Sequence, residues 1–247
     1  MMKKSHIMAA LFCGLALQAC SQKLLKDLEK TAGGDLGDIL KTEKPLTEDE
    51  VARGLREALE VGTNNSSGKA SAIDGFNKNP LIHIPFPPEA EKMEEKLRAI
   101  GMGKQVDEFT LTLNRAAEEA AKKSAPIFID AIKKMTITDA MGILKGSNNQ
   151  ATSYLQEKTT SQLHDTFKPV VHDATESVNL TKYWSPLIQA YNKIPMVEKM
   201  NPDLDEYVTQ QAMDGLFKLI AQEEEKIRTN PAAQVTDLLK RVFGKKS

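Results

Sequence analysis

The segment from His164 to Glu176, HDTFKPVVHDATE, holds the densest set of side chains able to bind a metal or move a proton: His164, Asp165, His172, Asp173 and Glu176. On a helix His172 and Glu176 stand four residues apart and share a face, the spacing at which an imidazole and a carboxylate ligate one cation. His164 lies two turns earlier, roughly 12 Å along the axis, and joins them only if Pro169 bends the helix sharply. The same residues also make a hydrated helix face, which is the reading we expect. His172 and Glu176 are then the metal candidates that spacing alone allows, and no metal or cofactor is expected.

Other constellations lack a required part. GTNNSSGKA, from Gly62 to Ala70, approaches a phosphate-binding loop, but its glycines enclose one residue too many and Ala70 follows Lys69 where a hydroxyl must hold magnesium. The preceding segment reads as a helix where that loop needs a strand, so we expect a polar interhelical loop and no nucleotide. Gly101 to Lys104, GMGK, reads as one helix stopping and another starting. There is no HExxH pair and no GxSxG elbow in the sequence. Tyr183, Trp184 and Tyr191 are the aromatic concentration that would stack on a sugar or line a cleft, although helix packing explains them as well. The run Glu223 to Lys226 reads as a solvated face, with Glu224 and Arg228 paired across one turn.

The N-terminus decides where these residues act. Lys3 and Lys4 precede an apolar run from Ile7 to Leu17, the layout of a secretory signal. That run is about half the roughly 20 residues of a spanning helix. Leu17-Gln18-Ala19-Cys20 resembles the lipobox of bacterial lipoproteins, in which the chain is cut before the cysteine and the thiol takes a diacylglycerol. Cys20 is therefore the expected lipidation site. Each buried CH₂ contributes roughly 0.8 kcal/mol, and two or more acyl chains, palmitate among them, make the anchor stable. Ser21, where enteric sorting would read Asp as an inner-membrane signal, favours the outer membrane.

Cleavage removes Cys13 and commits Cys20, so no thiol is left for a disulfide and the core must hold the fold alone. The whole chain carries 33 basic and 34 acidic residues. Losing Lys3 and Lys4 shifts the formal charge from −1 to −3, a balance that argues against a nucleic-acid partner.

Beyond the signal, Lys23 to Pro45 is a glycine-bearing spacer suited to a tether. Thr47 and Glu50 have capping-box spacing, with Val51, Leu55, Ala58 and Leu59 on one face and Gly62 fitting the helix end. PLIHIPFPP, Pro80 to Pro88, is proline-rich and alternating, so any strand lies there, near residues 82–86. Met93, Leu97 and Ile100 make the next stripe, stopped by Gly101 or Gly103, and Val106, Phe109, Leu113 and Ala117 the following one. Asn201-Pro202 and Asn230-Pro231 each read as a cap before a helix-opening proline. The first precedes a stripe through Leu204, Val208, Ala212, Leu216, Ile220 and Ile227. The expected architecture is all-α, a single-domain multi-helix bundle, with residues 1–19 a signal peptide, 20–46 the lipidated tether and 47–244 the helical domain.

The segments DGFNKNPLIHIPFP, NRAAEEAA, FIDAIKKMTITDA and Asp203 to Gly244 resemble, in order, the landmarks of a bacterial lipoprotein family catalogued as domain of unknown function 4197. The resemblance implies an exported helical protein of Gram-negative bacteria and no known activity. The expected function is non-enzymatic binding or scaffolding at the envelope, facing the periplasm, with an envelope protein as partner and the membrane reached through the lipid. The alternatives are a small envelope hydrolase and a carrier of an apolar ligand.

Overall fold

Thr47 opens the first helix through a full capping box: the Glu50 N–H donates to Thr47 Oγ1, and the Thr47 N–H donates to the Glu50 carboxylate at 2.9 Å. In this computed structural model the residues described are 46–99, 101–176, 184, 203–230, 233–234 and 236–243. The signal, Cys20, the tether, Ile100, Tyr183, Tyr191, Asn201, Pro202 and Pro231 lie outside them. The described elements are α-helical, apart from a 3₁₀ turn over Pro88–Ala90. They are α1 (Glu48–Ser71), α2 (Glu91–Ala99), α3 (Gly103–Ala121), α4 (Ser124–Lys133), α5 (Ile137–Lys145), α6 (Gln150–Glu176), α7 (Leu204–Thr229) and α8 (Asp237–Phe243). They belong to one unit, Leu46–Ser247. Among the described residues no helix is long and apolar enough to cross a membrane.

Helix α7 packs against α6, α1 and α3, and the core lies between them. Leu204, Val208, Ala212, Leu216, Ile220 and Ile227 are buried as the stripe requires, as are Val106, Phe109, Leu113 and Ala117 of α3. Close approach depends on glycine at two places on these faces. A Cβ on Gly215 would lie 2.7 Å from the Phe76 ring, and one on Gly54 2.8 Å from Val242 of α8.

Three expectations are corrected. Helix α1 does not end at Gly62 or open into a loop; it continues to Ser71. Thr63, Ser66, Ser67 and Ala70 recur at helical spacing and are buried. Their hydroxyls are satisfied locally: Thr63 donates to Leu59 O and Ser66 to Gly62 O, each at 2.8 Å. Secondly, α7 begins at Leu204 with Asp203 as its cap, its carboxylate accepting the Glu206 N–H at 2.9 Å. Thirdly, Asn230 caps the end of α7, and the last helix starts only at Asp237. Residues 82–86, where the sequence allows at most one short β piece, alternate strictly between buried and exposed, and no strand forms among the described residues.

Gly101 is the stop for α2. At φ 85° it sits in the left-handed region that glycine enters at no steric cost. The Met102 N–H reaches Leu97 O at 2.9 Å and the Gly101 N–H reaches Arg98 O at 3.1 Å, the paired bonds of a Schellman turn.

Candidate functional site

Ile84 lies in an extended segment with no neighbouring strand, so its backbone groups must pair elsewhere. The partner is one side chain. Asn114, fully buried on α3, accepts the Ile84 N–H at 2.9 Å and donates to Ile84 O at 2.8 Å. One turn on, the buried Glu118 accepts the Phe76 and Asn77 N–H groups at 3.1 and 3.3 Å. Arg115 bridges Glu118 and Asp74 at 2.6 and 2.7 Å. Lys78, Asn77 and Arg115 hold the Asp74 carboxyl well below the usual carboxylate range. Asp74 itself has φ 64°, a conformation that asparagine and aspartate tolerate better than most residues. Asn114, Arg115 and Glu118, on two successive turns of α3, therefore clamp the segment from Asp74 to Ile84.

The clamp fixes a proline-rich strap, Pro85 to Pro88, at the edge of the bundle. The Tyr207 hydroxyl donates to Pro85 O at 3.3 Å. Phe86 points inward against Phe109 and Trp184, with ring centroids 5.2 and 5.8 Å away, and Trp184 stacks on Phe109 at 5.7 Å. Such pairs contribute about 0.5–1.5 kcal/mol each beyond their buried area. Trp184 is thus a core residue, 6% exposed, and its indole N–H has no hydrogen-bond partner among the described residues.

A cleft opens on each side of the strap. The larger, about 600 Å³, lies between the strap, α2 and α3 and is lined by Pro85, Phe86, Leu111, Glu91, Arg98 and Asp107 among others. Its α2 wall packs mainly on α3 and the 3₁₀ turn. Arg98 latches that wall, contacting Glu94 at 2.8 Å and Asp107 at 2.9 Å. The smaller cleft, about 230 Å³, is bounded by Pro87, Trp184, Tyr207 and the first turns of α7.

His172 and Glu176 do share a face, 3.7 Å apart, but the arrangement is an interhelical seam. The His172 Nδ1 lies 2.6 Å from Asp205, and Thr175 donates to the same carboxylate at 2.7 Å. His164 faces Glu206 at 2.9 Å, and Lys168 joins Glu206 to Asp203 at 2.9 Å each. Pro169 lies within a continuous α6, so His164 is not swung toward His172. Among the described residues no group of three or more His, Cys, Asp or Glu side chains is placed to hold a metal. The Asp205 carboxylate raises the His172 pKa above its ordinary value, while Lys168 and then His164 lower that of Glu206.

A family model described as Protein of unknown function (DUF4197) matches residues 45–244. The chain belongs to that family. No curated protein and no solved structure matches it. In this DUF4197 chain, two of the segments that carry the sequence resemblance are the strap with its preceding turns and the α3 clamp that holds them.

The solvated reading of Glu223 and Glu224 is also corrected. Both are 7% exposed. Glu224 accepts the Ala151 and Thr152 N–H groups at 3.0 and 2.9 Å, and so caps α6 from another helix. Glu223 pairs with Lys226 at 2.8 Å and with Lys69 of α1. The Glu224–Arg228 pair stands as expected, at 2.8 Å.

Proposed function

We propose that this DUF4197 protein is a lipid-anchored envelope protein that binds a partner and catalyses no reaction. The larger cleft carries the reading. Its volume falls in the range of binding sites, roughly 300–1,000 Å³. One wall is the strap, anchored at the adjacent Ile84 by buried polar bonds, and the facing α2 wall packs Met93 and Leu97 on the core. The cleft is thus a formed concavity of mixed polar and apolar lining, which suits binding.

Anchoring through Cys20, with Ser21 directing the protein to the outer membrane, places the cleft in the periplasm at the end of the Lys23–Pro45 tether. Cys20→Ala tests the location: the protein leaves the membrane fraction and loses labelling by a lipid precursor. Retained membrane association and labelling would contradict the anchor. Crosslinking in intact envelopes followed by affinity purification tests the role, and a recurrent partner protein is the expected result.

A further inference from the structure

We infer that the larger cleft receives an extended, basic segment of a partner protein; this rests on the binding role proposed above and names its ligand. The first observation is charge. Glu91, Glu94 and Asp107 line the cleft against Arg98 alone, a balance of −2 with His83 neutral. Arg98 reaches Glu94 and Asp107, whereas Glu91 is exposed and no protein group pairs with it among the described residues.

Hydrogen-bond polarity points the same way: the carboxylates of the lining only accept, and an ammonium or guanidinium donates and never accepts.

The remaining features argue for a chain rather than a small amine. Pro85, Phe86, Pro88 and Leu111 supply apolar wall, and Leu111 is 37% exposed. Both backbone groups of Ile84, next to the strap, are taken by Asn114, and the Phe86 N–H has no protein partner among the described residues. A chain lays apolar side chains and the methylene stems of its lysines along that wall, which a small polyamine does not.

Trp184, the single tryptophan of the chain, reports on the site because it touches Phe86, which lines it. Full-length protein in detergent micelles is titrated with the pentapeptide Lys-Val-Lys-Val-Lys, with Glu-Val-Glu-Val-Glu and with spermidine. Trp184 emission and titration calorimetry are read in parallel. Saturable binding of the lysine peptide alone is expected, weakening with salt. Glu91→Lys or Leu111→Arg should each raise its Kd at least tenfold with the melting temperature unchanged. No heat and no emission change with the lysine peptide overturns the inference. So does equal binding of the acidic peptide, equal binding of spermidine, or an unaltered Kd in both variants. A partner recovered from intact envelopes while the lysine peptide fails would refute the basic segment alone; failure of both would refute the binding role as well.

Discussion

Glu224 and Arg228, one turn apart on α7, form a buried ion pair that joins the end of one helix to the start of another. Glu224 accepts two N–H groups in the first turn of α6, and Arg228 donates to Ile143 O in the last turn of α5 at 2.9 Å. Each charge meets the helix end of opposite partial charge, where the free backbone groups otherwise lack partners. A sequence run that looks like surface is therefore a junction of three helices.

Glu224→Gln should destabilise the protein by about 1–3 kcal/mol, because the amide turns a donor toward donors and weakens the hold on Arg228. Glu225→Gln, at an exposed position beside it, should stay within about 0.5 kcal/mol. Urea denaturation of both variants decides between a junction and a surface.

Gly215→Ala should cost about 1–3 kcal/mol, since its Cβ would press on the buried Phe76 ring at 2.7 Å. Phe76→Leu should soften that penalty. A double-mutant cycle giving coupling of at least about 0.5 kcal/mol is the expected result, and strict additivity would place the strain elsewhere.

Asn114→Ala should leave both Ile84 backbone groups unpaired in the interior and destabilise the fold by about 1–3 kcal/mol. It should also loosen the strap against its aromatic backing, shifting Trp184 emission to longer wavelength. Thr112→Ala, at a half-buried position of the same helix whose hydroxyl donates back to Glu108 O, should leave the emission unchanged.

The seam between α6 and α7 gives stability a pH dependence of definite sign. His172 titrates above its ordinary 6.5 because Asp205 favours the protonated ring. Its contribution is then fully present below that value and is lost as pH rises through the raised one. Asp74 and Glu206, both lowered, act oppositely: their contributions are present above the ordinary carboxylate values and vanish in acid. Urea midpoints should accordingly fall on the alkaline side of 6.5, and His172→Gln should flatten that fall.

The apolar stripes were legible because leucine, valine and phenylalanine at helical spacing have few alternatives, and the stripes through Leu216 and Leu113 stand as expected. Small polar residues hid the rest. Thr63, Ser66, Ser67 and Ala70 keep the same spacing, but hydroxyls that bond back to the preceding turn resemble a loop in composition. The burial of Glu223 and Glu224 did leave a trace: they fall between Ile220 and Ile227, where the stripe of α7 skips a turn. Helix starts failed where two capping residues compete, and Asp203 took the role assigned to Asn201.

The site was legible only in part. Trp184 was named from its aromatic neighbourhood, and it packs on Phe86 of the strap while bounding the smaller cleft. The segment around Ile84 was recognised as non-helical, but its partner is a single asparagine on a helix thirty residues away, which no local pattern announces. His172 and Glu176 were paired by spacing, while Asp205, which determines the role of the imidazole, comes from another helix.

The most direct test of partner binding in the α2–α3 cleft is site-specific photocrosslinking in living cells. A photoreactive residue replaces Leu111 in the full-length protein, with Thr160, exposed on α6, as the control position. A discrete adduct from position 111 that is absent at 160, and that Glu91→Lys abolishes, is the predicted result. The same faint adducts from both positions, indifferent to Glu91→Lys, would contradict it.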